Sequence, residues 1–154
     1  MEGNQIPEPD ALELCALKKT ASPTDFAPGD ADGSFVCEFG VVCDPPRRGL
    51  VVKLYIHGGN KIKRQTIDFG LFDNIDRKMD RIYQLTLADE NTPCHRENGI
   101  IWRGSHEHIG NKNYKRHDLN GKSFQVVLDI FLQKTNIILE ERIFNPFDDF
   151  ELRP

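Results

Sequence analysis

Apolar positions alternate through the middle of the chain and take helical spacing towards both ends. SFVCEFGVVC (34–43) sets Phe35, Cys37, Phe39 and Val41 on one face of an extended segment. DPPRRG (44–49) predicts a turn, because no helix runs through Pro45 and Pro46. LVVKLYIH (50–57) alternates Leu50, Val52, Leu54 and Ile56 against Val51, Lys53, Tyr55 and His57. Gly58-Gly59-Asn60 predicts a hairpin, with KIKRQTIDFGLF (61–72) as its antiparallel return. A further strand is expected near 81–88, and a last one in GIIWRGSHEHIG (99–110) with a break at Gly104. Strands joined by turns this short leave no room for parallel crossovers.

The helical spacing is clearest in SFQVVLDIFLQKTNI (123–137), where Phe124, Val127, Leu128, Phe131 and Leu132 form a stripe suited to covering the sheet. PEPDALELCALKKT (7–20) predicts a shorter helix. Asp10 is its expected cap with Glu13 three residues on, Lys18 and Lys19 fall in its last turn, and Leu12, Cys15 and Ala16 make its apolar face. ASPTDFAPGDADG (21–33) has the composition of a loop. The tail FNPFDDFELRP (144–154) is too acidic and proline-broken for a core element, although Phe144, Phe147 and Phe150 are spaced to clip onto a groove. The pattern predicts an α+β fold: a curved antiparallel sheet of about five strands with an N-terminal helix and a C-terminal amphipathic helix. The expected division is an acidic helix and linker at 1–33, a core domain at 34–138 and an acidic tail at 139–154.

Composition narrows the class. With 154 residues, 38% hydrophobic and 29% charged, the chain suits one soluble domain. No apolar run approaches the ~20 residues of a membrane helix. The first residues carry neither a basic region nor an apolar signal core, so a cytoplasmic protein is expected. Cys15, Cys37, Cys43 and Cys94 lack C-x-x-C spacing and read as reduced thiols. No phosphate-binding glycine loop or nucleophile elbow is present, and no cofactor is expected. The net charge of −4 is uneven: acidic ends flank a basic middle that includes Arg47, Arg48, Lys53, Lys61, Lys63, Arg64, Arg77, Lys78 and Arg81. That distribution fits either a polyanion-binding face or an ordinary solvated surface.

The chemistry is concentrated in DENTPCHRENGIIWRGSHEHI (89–109), which holds three of the five histidines and the only tryptophan. His106 and His108, two apart on a strand, point to one face while Glu107 points away. His95 or Asp89 is placed to complete a three-group set. One reading is a metal site, with Asp89 or Cys94 as a further ligand. A second is acid–base chemistry on a phosphodiester, with Arg96, Arg103, Lys112, Lys115 and Arg116 holding phosphate and Tyr83, Trp102 or Tyr114 stacking a base. A third has the histidines pinning the loop to the sheet, with a non-catalytic binding function. His57 reads as a surface group at a hairpin end and His117 as a loop residue.

The order Arg81, Asp89, Pro93-x-His95, Asn98-Gly99 and Gly104-x-His106-x-His108-Ile109, followed by a helix ending near Asn136-Ile137, resembles a family of small uncharacterised bacterial proteins. That resemblance covers roughly residues 34–137 and implies a small α+β sheet with a C-terminal helix. More distantly, the histidine pattern resembles small toxins of bacterial toxin–antitoxin pairs. This likeness implies RNA cleavage or another nucleic-acid-directed toxicity, with Asp89, His95, His106 and His108 at the matching positions. Cys94 stands where a proline or histidine is expected, and the spacing before His106 differs. The expectation is a toxin-like ribonuclease working without a metal, with RNA and a cognate antitoxin or other protein as partners. Its catalytic groups would be Asp89, His95, His106 and His108. The alternatives are an interaction or inhibitor module from a mobile element or phage, and a metal-binding protein.

Overall fold

The alternation in 50–57 is realised as a strand with Leu50, Val52, Leu54 and Ile56 buried and the residues between them facing the other side. The computed structural model describes residues 6–31, 33–58, 65–75 and 78–147, with the backbone alone at 75, 94, 95 and 97. In chain order the described elements are α1 (Glu8–Ala16), β1 (Lys18–Ala21), β2 (Ala27–Pro28), β3 (Phe35–Gly40), β4 (Val42–Asp44), β5 (Leu50–His57) and β6 (Thr66–Ile75). They continue with β7 (Lys78–Leu87), β8 (Pro93–Glu97), β9 (Ile100–Arg103), β10 (His106–Ile109), β11 (Lys112–Lys115), α2 (Phe124–Thr135) and β12 (Ile137–Leu139). The architecture is α+β, and the sheet structure is mostly antiparallel.

The expected sheet of about five strands is replaced by ten strands in two sheets among the described residues. The larger has seven strands in the order β11-β10-β7-β6-β5-β3-β2, and the smaller has three in the order β12-β1-β4. A separate ribbon joins β8 to β9. The additional strands have a physical explanation. Lys112–Lys115 and Pro93–Glu97 are too polar to show alternation, yet hairpin pairing with β10 and β9 satisfies their backbone groups. The segment 34–43 is not one strand: at Val41 the chain leaves the large sheet, and Val42–Asp44 pairs with β1 instead. One pairing is parallel, Lys19 opposite Ile137, which short-turn logic did not foresee because its strands are far apart in sequence.

α1 also departs from expectation. It begins after Pro7, with no side-chain cap, so Asp10 lies within its first turn. It ends at Ala16, and Lys18 and Lys19 belong to β1. Its buried positions are Ala11 and Cys15, four apart, while Leu12 remains exposed. The close approach of this helix to the sheet depends on Gly110, whose φ of 55° suits glycine and where a Cβ would stand 2.5 Å from the Ile6 carbonyl oxygen. The described residues 6–31 are therefore woven into the domain: α1 packs on the sheet, β1 joins the small sheet and β2 is an edge of the large one.

α2 follows the sequence pattern closely. The Ser123 hydroxyl accepts from the Val126 amide at its start, and Asn136 closes it in the left-handed conformation. Phe124, Val127, Leu128 and Phe131 are buried against the large sheet, with Phe69 between Phe124 and Phe131 at centroid distances of 5.5 and 6.1 Å. Each such fully buried aromatic or leucine side chain contributes roughly 1.5–3 kcal/mol. Part of the tail joins this core. Ile143 is buried and the Phe147 ring meets Phe35 edge-on, whereas Phe144 is exposed. The expected Gly59–Asn60 turn, the basic residues Lys61, Lys63, Arg64 and Arg77, and tail residues 148–154 lie outside the described residues.

Burial in α1 perturbs Cys15, pushing its thiol up from the ordinary 9.0 to about 11, with Lys19 pulling the other way. A raised pKa means that the folded chain holds this proton after the unfolded chain has lost it. Its stabilising contribution is complete below about pH 9 and is lost as the pH rises to about 11. The urea midpoint of the native sequence is expected to fall more steeply across that interval than that of Cys15→Ala. Parallel slopes in urea titrations would contradict this account.

Candidate functional site

The large sheet has one apolar and one polar face, and the polar face carries most of the titratable chemistry. The register aligns Lys115, His106, Thr86, Asp68 and Tyr55 across β11, β10, β7, β6 and β5. The next row on the same face holds Asn113, His108, Gln84 and Gly70. His57 and Thr66 pair at the end of β5 and β6. Alternation thus gathers groups from five strands on the surface opposite α1 and α2.

These groups line an open cavity of about 390 Å³ whose walls include His57, Asp68, Arg81, Gln84, His106 and His108. Asp68 is its organising anion. Its Oδ2 lies 3.1 Å from His57 Nε2, and its Oδ1 accepts from the Thr86 hydroxyl at 2.7 Å and the Gln84 amide at 3.4 Å. The His106 and His108 rings meet edge to face with centroids 4.9 Å apart. His108 Nδ1 is hydrogen-bonded to Asn113 Oδ1, which orients that ring from the sheet edge. Both histidines are about 3% exposed as whole residues and line the cavity wall.

Arg81 reaches this face through a backbone irregularity. The register between β6 and β7 shifts between Leu71 and Phe72, so that Leu71 opposes Tyr83 but Phe72 opposes Arg81. Ile82 is the extra residue, and the bulge transfers Arg81 from the core face to the polar one. Burial pulls the guanidinium below its ordinary range, while Asp68 opposes that effect. Simple alternation with Tyr83 would have placed Arg81 in the core, which is why the strand pattern conceals it. His57, expected as a hairpin-end surface group, is indeed about half exposed but also forms a wall of this cavity. Asp68, Gln84 and Thr86 carried no local signal beyond their places in polar rows.

The other expected site residues disperse. The His95 backbone lies on β8 opposite Trp102, and its side chain is outside the described residues. Asp89 lies away from the histidine cavity, accepting from the Asn91 amide in a turn and lining a separate depression with Gln65, Leu87 and Lys122. Arg116 bridges Glu107 at 3.1 Å and Asp118 at 3.0 Å, contacts that hold its pKa above the ordinary value and that of Asp118 below. Lys112 opposes Ile109 and alternates to the helix side of β11, whereas Lys115 opposes His106 and shares the histidine face. Arg96 and Arg103 are exposed on the ribbon.

Glu107 points away from the histidines as expected and is buried on the core side, where it accepts from the Tyr83 hydroxyl. Burial and that partner push the Tyr83 hydroxyl pKa upward. Tyr83 is therefore structural rather than a stacking surface, and the Tyr114 hydroxyl is engaged by Glu8. In the basic middle, Arg47 pairs with Asp73 at 2.8 Å and Lys53 lies over Tyr55. Among the described residues, no three His, Cys, Asp or Glu side chains come together as a metal-ligand set. No helix of the described residues is long and apolar enough to cross a membrane. Compared with known proteins, the chain matches no family model, no curated sequence and no solved structure.

Proposed function

We propose that the polar face is an acid–base site for cleaving RNA phosphodiesters, as in a toxin-like ribonuclease. The supporting observation is the convergence of His57, His106, His108 and Arg81 on one open cavity from three strands. One imidazole of the His106–His108 pair takes the 2′-hydroxyl proton while the other gives a proton to the departing 5′-oxygen. The 2′-oxygen–phosphorus bond forms as the phosphorus–5′-oxygen bond breaks, leaving a 2′,3′-cyclic phosphate and a 5′-hydroxyl. Arg81 neutralises the charge that gathers on the phosphoryl oxygens. His57, held by Asp68, orients the phosphate from the opposite wall. Asp89 and Arg116 have no part in this arrangement.

The test is cleavage of a mixed RNA pool by the purified protein, with and without excess chelator. Cleavage that survives chelator and leaves cyclic phosphate ends is the expected result. Loss of cleavage in chelator would replace this reading with a metal-dependent one, and no cleavage in either tube would remove the nuclease reading. The alternative, a module that binds an antitoxin or other protein, has a different support. Ile138, Thr20 and Val42 form one row across the small sheet, with Ile138 and Val42 68% and 71% exposed. Exposed apolar rows of this kind are commonly covered by a partner.

A further inference from the structure

Beside the histidine cavity lies a second depression of about 570 Å³, bounded by Asn91, Trp102, Arg103, Lys115, His117 and Asn120. We propose that it is a subsite for an unpaired nucleobase and its flanking phosphate, which makes single-stranded RNA the substrate. The proposal rests on the RNA reading above and deepens it.

Three observations carry the assignment. An indole and a cation share one wall, with Lys115 Nζ 5.4 Å from the centre of the Trp102 ring. Arg103 and His117 line the same depression, with Glu90 as its one carboxylate, so an aromatic surface lies among a majority of ionisable groups suited to phosphate. The depression is also continuous with the proposed catalytic face, because Lys115 is the cross-strand partner of His106. Cross-strand neighbours lie about 5 Å apart, which places a nucleotide here next to the one whose phosphate meets the imidazoles.

The surroundings hold this wall in place. The Arg103 guanidinium donates to the Asn91 carbonyl at 3.0 Å, and the Gly104 amide donates to the Thr92 carbonyl at 2.9 Å. The Ser105 amide donates to Asn120 Oδ1 at 2.7 Å. At Gly104, with φ of 85°, a Cβ would stand 2.9 Å from that same oxygen. Glycine here lets the chain turn sharply between Trp102 on the ribbon and His106 in the sheet. A base paired in a duplex keeps its faces stacked on its neighbours and cannot lie against the indole, whereas an unpaired base can.

Trp102 is the only tryptophan, so intrinsic fluorescence reports directly on this depression. The experiment titrates the full chain with a 2′-O-methyl hexaribonucleotide, which lacks the internal nucleophile and so binds without being cut. The expected result is saturable quenching, weakening with salt by a log–log slope of about −0.7 for each phosphate contacted. Lys115→Ala, and Trp102→Ala followed by anisotropy of a labelled oligomer, should each weaken binding about tenfold or more. Lys112→Ala, on the opposite face of the same strand, should leave affinity unchanged. Quenching of equal strength by a duplex or by polyphosphate would overturn the base subsite, as would affinity indifferent to Trp102→Ala. Cleavage of RNA without quenching would also overturn the subsite while leaving the nuclease reading in place. Quenching without cleavage of unmodified RNA would uphold the subsite and remove the nuclease reading.

Discussion

His106→Gln is expected to lower RNA cleavage about 10²–10⁴-fold while leaving the urea midpoint nearly unchanged. Glutamine retains the polarity of the position and most of its volume, so Thr86 and Asp68 in the same row keep a polar neighbour. What glutamine cannot do is exchange a proton near neutrality. At about 1.4 kcal/mol per tenfold in rate, the loss corresponds to roughly 3–6 kcal/mol of transition-state stabilisation. Single-turnover cleavage of a short oligomer, beside a denaturation curve on the same preparation, makes the measurement. A folded variant that cleaves at the native rate would show that the histidine pair is structural.

The parts of the fold legible in the sequence are those whose reason is local. Leu50, Val52, Leu54 and Ile56 alternate because one side of β5 is buried, and the α2 stripe from Phe124 to Phe131 repeats because one side of the helix is buried. Illegible parts arise from pairing at long range. Lys18 and Lys19 look like a helix end until Ile137 and Cys43 supply partners on either side, and nothing near them in sequence announces that sheet. The site divides in the same way. His106 and His108 share a face by alternation alone, so their relation was legible from two residues. His57 and Asp68 join them only through the order of β5, β6, β7 and β10, and Arg81 only through the bulge at Ile82. Asp89 shows the converse error: proximity in sequence to the histidines suggested a shared site, but the turn at Asn91 takes it into a different depression.

Lys19→Met is expected to destabilise the fold by about 2–4 kcal/mol, because this one ammonium closes both helices. Lys19 is 2% exposed, and its Nζ donates to the carbonyls of Cys15, Leu17 and Thr135 at 3.0, 2.7 and 2.6 Å. Three donors thus meet three acceptors. Cys15 and Leu17 lie at the end of α1 and Thr135 at the end of α2, where carbonyls lack intrahelical partners and the helix dipoles favour a cation. Burial lowers the pKa of the amine, an opposing cost that methionine removes. Methionine nevertheless fills much the same space while stranding three carbonyls, and stranded buried acceptors cost about 1–3 kcal/mol each. At roughly 2–4 °C per kcal/mol for a chain of this size, the melting temperature should fall by about 5–15 °C. Thermal and urea melts check the value, and a variant as stable as the native chain would show that the clamp contributes nothing. The consequence extends to the polar face, because α1 and α2 back the sheet that presents His106 and Arg81. Cleavage by Lys19→Met should therefore match the native rate at low temperature and fail at a lower temperature than the native protein.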